Sequence, residues 1–138
     1  MTTKRRLVRA AIAVAGATML LGIAPTTASA ATPRNGVCEV GEICFYWFID
    51  RQESLSDFTS SLDNYGSSLP SCYVFKSDGL GQGDCMKNNA MSAWNRSSRI
   101  VRVYFNSYYG GPYDNVAAGT WRNLNVTSNE NASHKFLL

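Results

Sequence analysis

The four cysteines are the residues whose type and number most directly suggest chemistry in this chain. Cys38, Cys44, Cys72 and Cys85 form an even set, which is typical of two disulfides in an oxidising compartment. Three pairings are possible, and proximity in the sequence favours Cys38 with Cys44 and Cys72 with Cys85. A zinc site is the alternative, but neither spacing is Cys-x2-Cys and the one histidine, His134, is distant in the sequence. We therefore predict disulfides.

Residues suited to acid–base or nucleophilic catalysis are scarce. The sequence has one histidine, no HExxH motif, no cysteine expected to be free and no serine in a nucleophile-elbow setting. Scattered aspartates could pair as glycosidase carboxylates, but isolated aspartates in turns are more common. The pattern therefore favours a binding protein over an enzyme. The aspartates are Asp57, Asp63, Asp78, Asp84 and Asp114.

The glycine-rich segment GLGQG at residues 79–83 invites comparison with a phosphate-binding loop. It lacks the Lys-Ser/Thr pair that would follow in such a loop, and no helical pattern succeeds it. Because Cys72 and Cys85 flank the segment, we interpret residues 76–84 as a surface loop tethered by a disulfide.

The first 30 residues have the features of a secretory signal peptide. Four basic residues within the first nine positions precede an almost wholly apolar run, and small residues form an Ala-x-Ala site at residues 28–30. An apolar run of about fifteen residues is short for a membrane anchor. We therefore predict cleavage after Ala30 and a single secreted, extracellular domain at residues 31–138.

Removal of this leader changes the charge of the protein. The whole chain has 13 basic and 10 acidic residues, and four of the basic residues but none of the acidic ones lie in residues 1–30. Nine basic and ten acidic residues then remain, which is a formal net charge of −1. A near-neutral domain has no general attraction for nucleic acid or for anionic lipid. We expect neither as a partner.

Short apolar and aromatic runs separated by Gly, Asn, Ser and Pro predict an all-β domain. We expect about six to eight strands in antiparallel hairpins, arranged as a β-sandwich or a Greek-key barrel. One short helical turn is predicted within residues 86–94, with Met91 and Trp94 packing inward. The strand candidates are residues 44–49, 55–62, 72–75, 100–105, 113–116 and 120–124.

The two halves of the domain carry a weak internal repeat. Residues 45–46 correspond to residues 103–104 at an offset of 58 residues. The second half matches the aromatic-x4-aromatic-x-Gly signature of a βγ-crystallin Greek key, in which the glycine lets a hairpin fold over beside the aromatic pair. In the first half Arg51 and Glu53 occupy the last two positions of the signature, so we interpret that copy as degenerate. The matching residues of the second half are Tyr104, Tyr109 and Gly111.

Five segments together carry a family resemblance that covers essentially residues 36–136. They are the Cys-x5-Cys loop from Cys38, DFTSSLDNYG from Asp57, KNNAMSAWNRSS from Lys87, VRVYFNSYYGG from Val101 and NASHKF from Asn131. With these segments the chain resembles the secreted peptidase inhibitor family I36 of actinobacteria. The resemblance implies a small, disulfide-tied βγ-crystallin-like Greek-key sandwich.

The same resemblance implies a function. The founding member of the family inhibits thermolysin-like metalloproteinases, so the expected partner is an extracellular protease, and we expect a monomer that needs no cofactor. In that inhibitor a disulfide-closed loop in the second half holds the reactive bond, whereas this chain has no cysteine after Cys85. The inhibitory residues are therefore not carried over.

The segment between Cys72 and Cys85 is the remaining candidate for an inhibitory loop, because a disulfide lowers the entropy lost when a loop is ordered on binding. The candidate loop consists of Lys76, Ser77, Asp78, Gly79, Leu80, Gly81, Gln82, Gly83 and Asp84.

The resemblance also leaves open an extracellular binding module without inhibitory activity, for calcium or for a protein or carbohydrate ligand. Crystallin-type domains bind calcium through (Asn/Asp)-(Asn/Asp)-x-x-(Ser/Thr)-Ser, because Ca²⁺ prefers hard oxygen ligands. Residues 88–93 match this pattern except for the final serine, and residues 129–134 are a looser match. The alternative is that these side chains cap turns. The candidate calcium ligands are Asn88, Asn89 and Ser92.

Overall fold

The computed structural model describes residues 29–138 and the isolated positions Gly16, Gly22 and Ala24. The predicted signal peptide lies outside the described residues, apart from those three positions and its last two residues. No helix in the described part of the chain has the length and apolar character needed to cross a membrane. Residues 29–138 form seven strands and a single 3₁₀ turn at Ile49–Arg51. The strands are β1 (Ile43–Tyr46), β2 (Leu55–Phe58), β3 (Ser92–Asn95), β4 (Val101–Asn106), β5 (Gly110–Val116), β6 (Trp121–Asn123) and β7 (Ser133–Phe136).

The strands of residues 29–138 form two antiparallel sheets, with the orders β2-β1-β3-β6 and β5-β4-β7. In each half of the chain, one segment pairs with the sheet that the other half mainly forms. β6 follows β5 in the sequence but pairs with β3, and Leu62, which follows β2, forms a bridge with His134 of β7. This exchange produces the Greek-key sandwich. The general expectation of antiparallel hairpins is wrong for the neighbouring strand candidates at residues 113–116 and 120–124, because they lie in different sheets. After β6, the amide of the buried Leu124 donates to the carbonyl of Met91 at 2.9 Å.

The segment before β3 differs most from its prediction. The helical turn expected within residues 86–94 is wrong, because residues 92–95 form a central strand between β1 and β6. Alternation along that strand buries Ala93 and leaves Trp94 partly exposed. Met86 and Ala90 are the residues that enter the core, and Met91 stays partly exposed.

The hydrophobic core lies between the two sheets, and β1 is covered on both faces. Ile43 and Phe45 belong to the main buried cluster, together with residues of β4 and β7. The alternate residues Cys44 and Tyr46 form a second buried cluster with Leu55. Burial on both faces is the reason for the continuous apolar sequence of this strand.

Both disulfides join the cysteines that are closest in sequence. Cys38 is bonded to Cys44 and Cys72 to Cys85, with Cα atoms 5.8 Å and 5.6 Å apart. All four cysteines are paired, so none is available for a zinc site.

His134, the one histidine of the sequence, is a core residue of β7 with 0% exposure. Its Nε2 lies 2.9 Å from the carbonyl of Ser60, and its Nδ1 lies 3.0 Å from the hydroxyl of Tyr65. Since a carbonyl can only accept, Nε2 carries the hydrogen and the Tyr65 hydroxyl donates to Nδ1. Burial lowers the pKa of His134 to about 4. The imidazole is therefore neutral at physiological pH, and both of its nitrogens are hydrogen-bonded within the domain.

Candidate functional site

The loop of residues 76–84 is closed at its base by the disulfide between Cys72 and Cys85. Next to the disulfide, the amide of Phe75 donates to the carbonyl of Asp84 at 3.1 Å. A covalent bond and a hydrogen bond therefore hold the two arms of the loop together.

A second set of hydrogen bonds ties the loop to the connection between β1 and β2. The amide of Leu80 donates to Oε2 of Glu53 at 2.8 Å, and its carbonyl accepts from the amide of Ser54 at 3.3 Å. Nearer the base, the amide of Leu55 donates to Oγ of Ser77 at 2.8 Å. Both backbone polar groups of Leu80 are thus held by the body of the domain.

The side chains at the tip of the loop point outward. Leu80 is 67% exposed, although its backbone is fixed. Within the loop, Nε2 of Gln82 donates to the carbonyl of Lys76 and to Oδ1 of Asp78, both at 3.2 Å. An apolar side chain on a fixed, exposed backbone is suited to fill a pocket of a partner protein.

Gly81 lets the loop lie directly on Trp47. A Cβ built on Gly81 would come within 2.1 Å of Cε3 of Trp47, so only glycine allows this approach. The ring of Trp47 in turn packs edge-on against Phe75, with centroids 5.4 Å apart. The loop therefore rests on an aromatic pair that extends into the core.

We expect Gly81→Ala to lower the free energy of unfolding by about 1–3 kcal/mol more than Gly83→Ala. The two glycines have φ of +84 and +83, so the backbone penalty for adding a side chain is similar at both. A Cβ on Gly83 meets nothing within 4 Å, whereas one on Gly81 overlaps Trp47. Urea denaturation of both variants measures the difference. Equal losses would contradict the contact between the loop and Trp47.

The second crystallin-like hairpin has the geometry that its signature predicts. The rings of Tyr104 and Tyr109 have centroids 5.7 Å apart. Gly111 has φ +77, and a Cβ there would lie 2.7 Å from Nδ2 of Asn106. The hydroxyl of Ser133 holds the folded hairpin in place, since it donates to the carbonyl of Asn106 at 2.7 Å and accepts from the amide of Tyr109 at 3.1 Å.

The first hairpin has the same backbone conformation, although its signature is degenerate. Its φ values are 58° at Arg51 and 66° at Glu53, against 62° and 77° at the equivalent positions of the second half. Ser92 pins this hairpin by donating to the carbonyl of Phe48 at 2.7 Å and accepting from the amide of Arg51 at 3.0 Å. The guanidinium of Arg51 stacks on Trp94 at 4.8 Å. The interpretation of the first copy as degenerate is therefore correct for its side chains and wrong for its backbone, which has the conformation of the second copy.

The three candidate calcium ligands lie in and after the turn that precedes β3. Asn88 is exposed with φ 63°, and Nδ2 of Asn89 donates to the carbonyl of Cys85 at 2.8 Å. The hydroxyl of Ser92 is buried and is already engaged by the first hairpin. Within the described residues no group of three or more His, Cys, Asp or Glu side chains is arranged to hold a metal.

A second braced loop, residues 96–100, was not predicted from the sequence. The buried side chain of Asn95 donates from Nδ2 to the carbonyl of Arg99 at 2.6 Å and accepts at Oδ1 from the amide of Ser97 at 3.0 Å. Ile100 at the end of this loop is 46% exposed. The only sequence signal for it is the Asn-x-Ser-Ser order, which is typical of a turn closed by an asparagine side chain.

The comparisons with solved structures show the fold. A structure from work on the evolution of the eye lens βγ-crystallin domain fold matches with a TM-score of 0.53 and 10% identity, over 80% of this chain and 93% of that one. A βγ-crystallin from an archaeon matches with a TM-score of 0.50 and 18% identity, over 72% and 100%. The N-terminal domain of Protein S matches with a TM-score of 0.52 and 17% identity, over 70% and 94%. These matches confirm the predicted βγ-crystallin-like sandwich.

The comparisons by sequence are fewer. No curated protein matches the sequence. The model of peptidase inhibitor family I36 matches residues 31–116, which is more than half of the chain and includes the loop of residues 76–84 with both of its cysteines. This chain therefore belongs to peptidase inhibitor family I36.

Proposed function

We propose that the chain is secreted and, as a monomer, inhibits thermolysin-like metalloproteinases by binding them with the loop of residues 76–84. Membership of family I36 supports a role as a peptidase inhibitor and not as an enzyme. The observation that carries the choice of loop is Leu80, whose side chain is 67% exposed while its amide and carbonyl are both hydrogen-bonded to the first hairpin.

Inhibition by such a loop requires that it bind tightly and resist hydrolysis. Binding is favoured because the loop is already ordered, so little conformational entropy is lost in the complex. Resistance to hydrolysis is supported by the two hydrogen bonds that hold Leu80 itself and by the disulfide between Cys72 and Cys85. If a bond beside Leu80 were cut, the disulfide and the hydrogen bonds to Glu53 and Ser54 would keep the two new ends together. Their high effective concentration would favour resealing over release.

We expect residues 31–138 to abolish the activity of a thermolysin-like metalloproteinase at about one molecule of inhibitor per molecule of enzyme. The measurement is residual peptidase activity over increasing protein concentration, with a subtilisin-like peptidase as the control for target class. Loss of both activities would contradict the proposed target class. No loss of either, with the protein intact afterwards, would contradict inhibition.

Calcium binding is the second candidate function, and one buried atom favours it. Oδ1 of Asn131, in the looser calcium-like segment, is buried with no hydrogen-bond partner among the described residues. The two calcium-like segments are also in contact, since the amide of Asn88 donates to the carbonyl of Asn131 at 2.8 Å and the amide of Asn129 donates to the carbonyl of Ala90 at 3.0 Å. A backbone carbonyl oxygen or a side-chain amide oxygen that accepts no hydrogen bond is a suitable ligand for Ca²⁺.

Calcium binding predicts heat on titration of CaCl₂ into the metal-free protein and a rise in melting temperature, because a ligand that binds only the folded state stabilises it. Asn88→Ala should remove both effects. A flat titration with no thermal shift would contradict calcium binding.

A further inference from the structure

Residues 32–37, here called the N-terminal strap, are bound to β2 through one buried carboxylate. The amide of Asn35 donates to Oδ2 of Asp57 at 3.0 Å, and the amide of Gly36 donates to Oδ1 at 2.8 Å. Asp57 has 0% exposure, and each of its carboxylate oxygens accepts from one amide of the strap. Arg34 precedes them with φ 65°, a left-handed conformation that turns both amides toward the carboxylate.

The side chain of Arg34 inserts beside the base of the loop of residues 76–84. Its guanidinium lies over the rings of Phe58, at 4.7 Å, and Tyr73, at 5.3 Å. Nη2 donates to the carbonyl of Val74 at 2.7 Å, and Nη1 donates to Oγ of Ser56. One planar guanidinium therefore joins β2 to the segment that leads into the loop.

The strap reaches the base of the loop at a second point. A Cβ built on Gly36 would lie 3.1 Å from the amide nitrogen of Ser77 and 3.2 Å from Cβ of Lys76. Val74 on this arm forms a bridge with Cys85 on the other arm. The strap thus contacts the arm by which the loop leaves the domain, and that arm is in turn paired with the returning arm.

We propose that the N-terminal strap, through Arg34, holds the loop of residues 76–84 in a single conformation and thereby sets both its affinity for a peptidase and its resistance to cleavage. This inference rests on the proposed function. Arg34 is a positioning residue, because it acts through Val74 and does not itself face the solvent side of the loop. A lysine would keep the positive charge but would lack the planar fork whose two nitrogens donate to Ser56 and Val74.

Amide hydrogen exchange tests the positioning directly. We expect Arg34→Ala to speed exchange of the amides of Phe75 and Gly83 about tenfold or more, since their hydrogen bonds join the two arms of the loop at the base that Arg34 supports. Arg34→Lys should behave like Arg34→Ala. Amides of β4 should exchange at the wild-type rate in both.

Arg102→Ala is the matched control. Arg102 also stacks on a tyrosine, Tyr113 at 3.9 Å, and also makes a side-chain hydrogen bond, to Oδ1 of Asn115 at 2.9 Å. It lies on the other sheet, so its removal should leave exchange in the loop unchanged. Unchanged loop exchange in Arg34→Ala, or an equal rise in β4, would overturn the positioning role.

The effect of the strap on function is measured by inhibition of the peptidase and by the rate at which the loop is cleaved. We expect Arg34→Ala to inhibit about tenfold less tightly and to be cut within residues 76–84 faster than the wild type, since a loop that must be ordered binds less tightly. Faster loop exchange with unchanged inhibition and cleavage would overturn the link between the strap and binding. Absence of inhibition by the wild type would instead overturn the proposed function, and the exchange comparison would still decide whether the strap positions the loop.

Discussion

Leu80→Asp is expected to weaken inhibition of a thermolysin-like metalloproteinase by about a hundredfold, the loss typical of an anchor at the centre of an interface. Leu80 presents an apolar side chain at 67% exposure, and its backbone is held by Glu53 and Ser54. A carboxylate would have to be desolvated in the apolar pocket that a leucine fills, which is unfavourable. The measurement is the inhibition constant from residual peptidase activity.

Leu69→Asp is the control for this prediction. Leu69 is 63% exposed, close to the value for Leu80, and it lies outside the loop of residues 76–84. The substitution should leave inhibition and stability near those of the wild type. An equal effect of the two substitutions would contradict a contact through Leu80. Loss of inhibition from Ile100→Asp, with none from Leu80→Asp, would place the contact at the braced loop of residues 96–100.

The second large effect concerns pH, because two buried groups with displaced pKa values oppose each other. Burial lowers the pKa of His134 from 6.5 to about 4. Between these values the unfolded chain binds a proton that the native protein does not, so this contribution to stability is present above pH 6.5 and is lost as the pH falls toward 4.

Glu42 acts in the opposite direction. Its Oε2 accepts from the amide of Glu39 at 2.7 Å, but its Oε1 is buried without a partner among the described residues. Burial, with a smaller contribution from the charge of Asp57, raises the pKa of Glu42 from 4.5 to about 7 despite the nearby Arg96. The native state therefore binds the extra proton, and this contribution is present below pH 4.5 and is lost as the pH rises through 7.

We expect Glu42→Gln to reveal the contribution of His134. Glutamine keeps an acceptor for the Glu39 amide and does not titrate. From pH 6.5 to pH 4 the stability of Glu42→Gln should fall by about 3 kcal/mol more than that of the double variant Glu42→Gln/His134→Gln. In the wild type the gain from Glu42 should offset part of this fall.

Urea denaturation at a series of pH values measures these differences. Parallel pH profiles for Glu42→Gln and the double variant would contradict the buried neutral histidine. Parallel profiles for the wild type and Glu42→Gln would contradict the raised pKa of Glu42.

Local patterns predicted much of the fold because they depend on neighbours in the sequence. The apolar runs predicted β1, β2, β4, β6 and the second half of β5, whereas the strand predicted at residues 72–75 is wrong, because that segment forms only isolated bridges. Cysteine proximity favoured both disulfides that the structure contains. The family resemblance, carried by short segments, was confirmed over residues 31–116. The position of the candidate loop between Cys72 and Cys85 was also evident from the sequence.

Other features were not predictable, because they depend on partners far along the chain. β7 has no strong strand pattern, since three of its four residues are polar and its buried histidine has its partners, Tyr65 and Ser60, in the first half. β3 resembles a helical turn in sequence but is a strand because β1 and β6 flank it. In each case pairing across the sheet outweighs local preference.

The sequence by itself determined the class of this protein: an all-β domain with two cysteine pairs, a crystallin-like signature at Tyr104, Tyr109 and Gly111, and membership of an inhibitor family. Only the tertiary structure decided how the candidate loop is held. Leu80 is fixed by Glu53, Gly81 rests on Trp47, and Arg34 braces Val74. Leu80 and Glu53 are 27 positions apart in the sequence, and Arg34 and Val74 are 40 positions apart. They arise because folding brings the strap, the first hairpin and the loop to one side of β2, which no local pattern encodes.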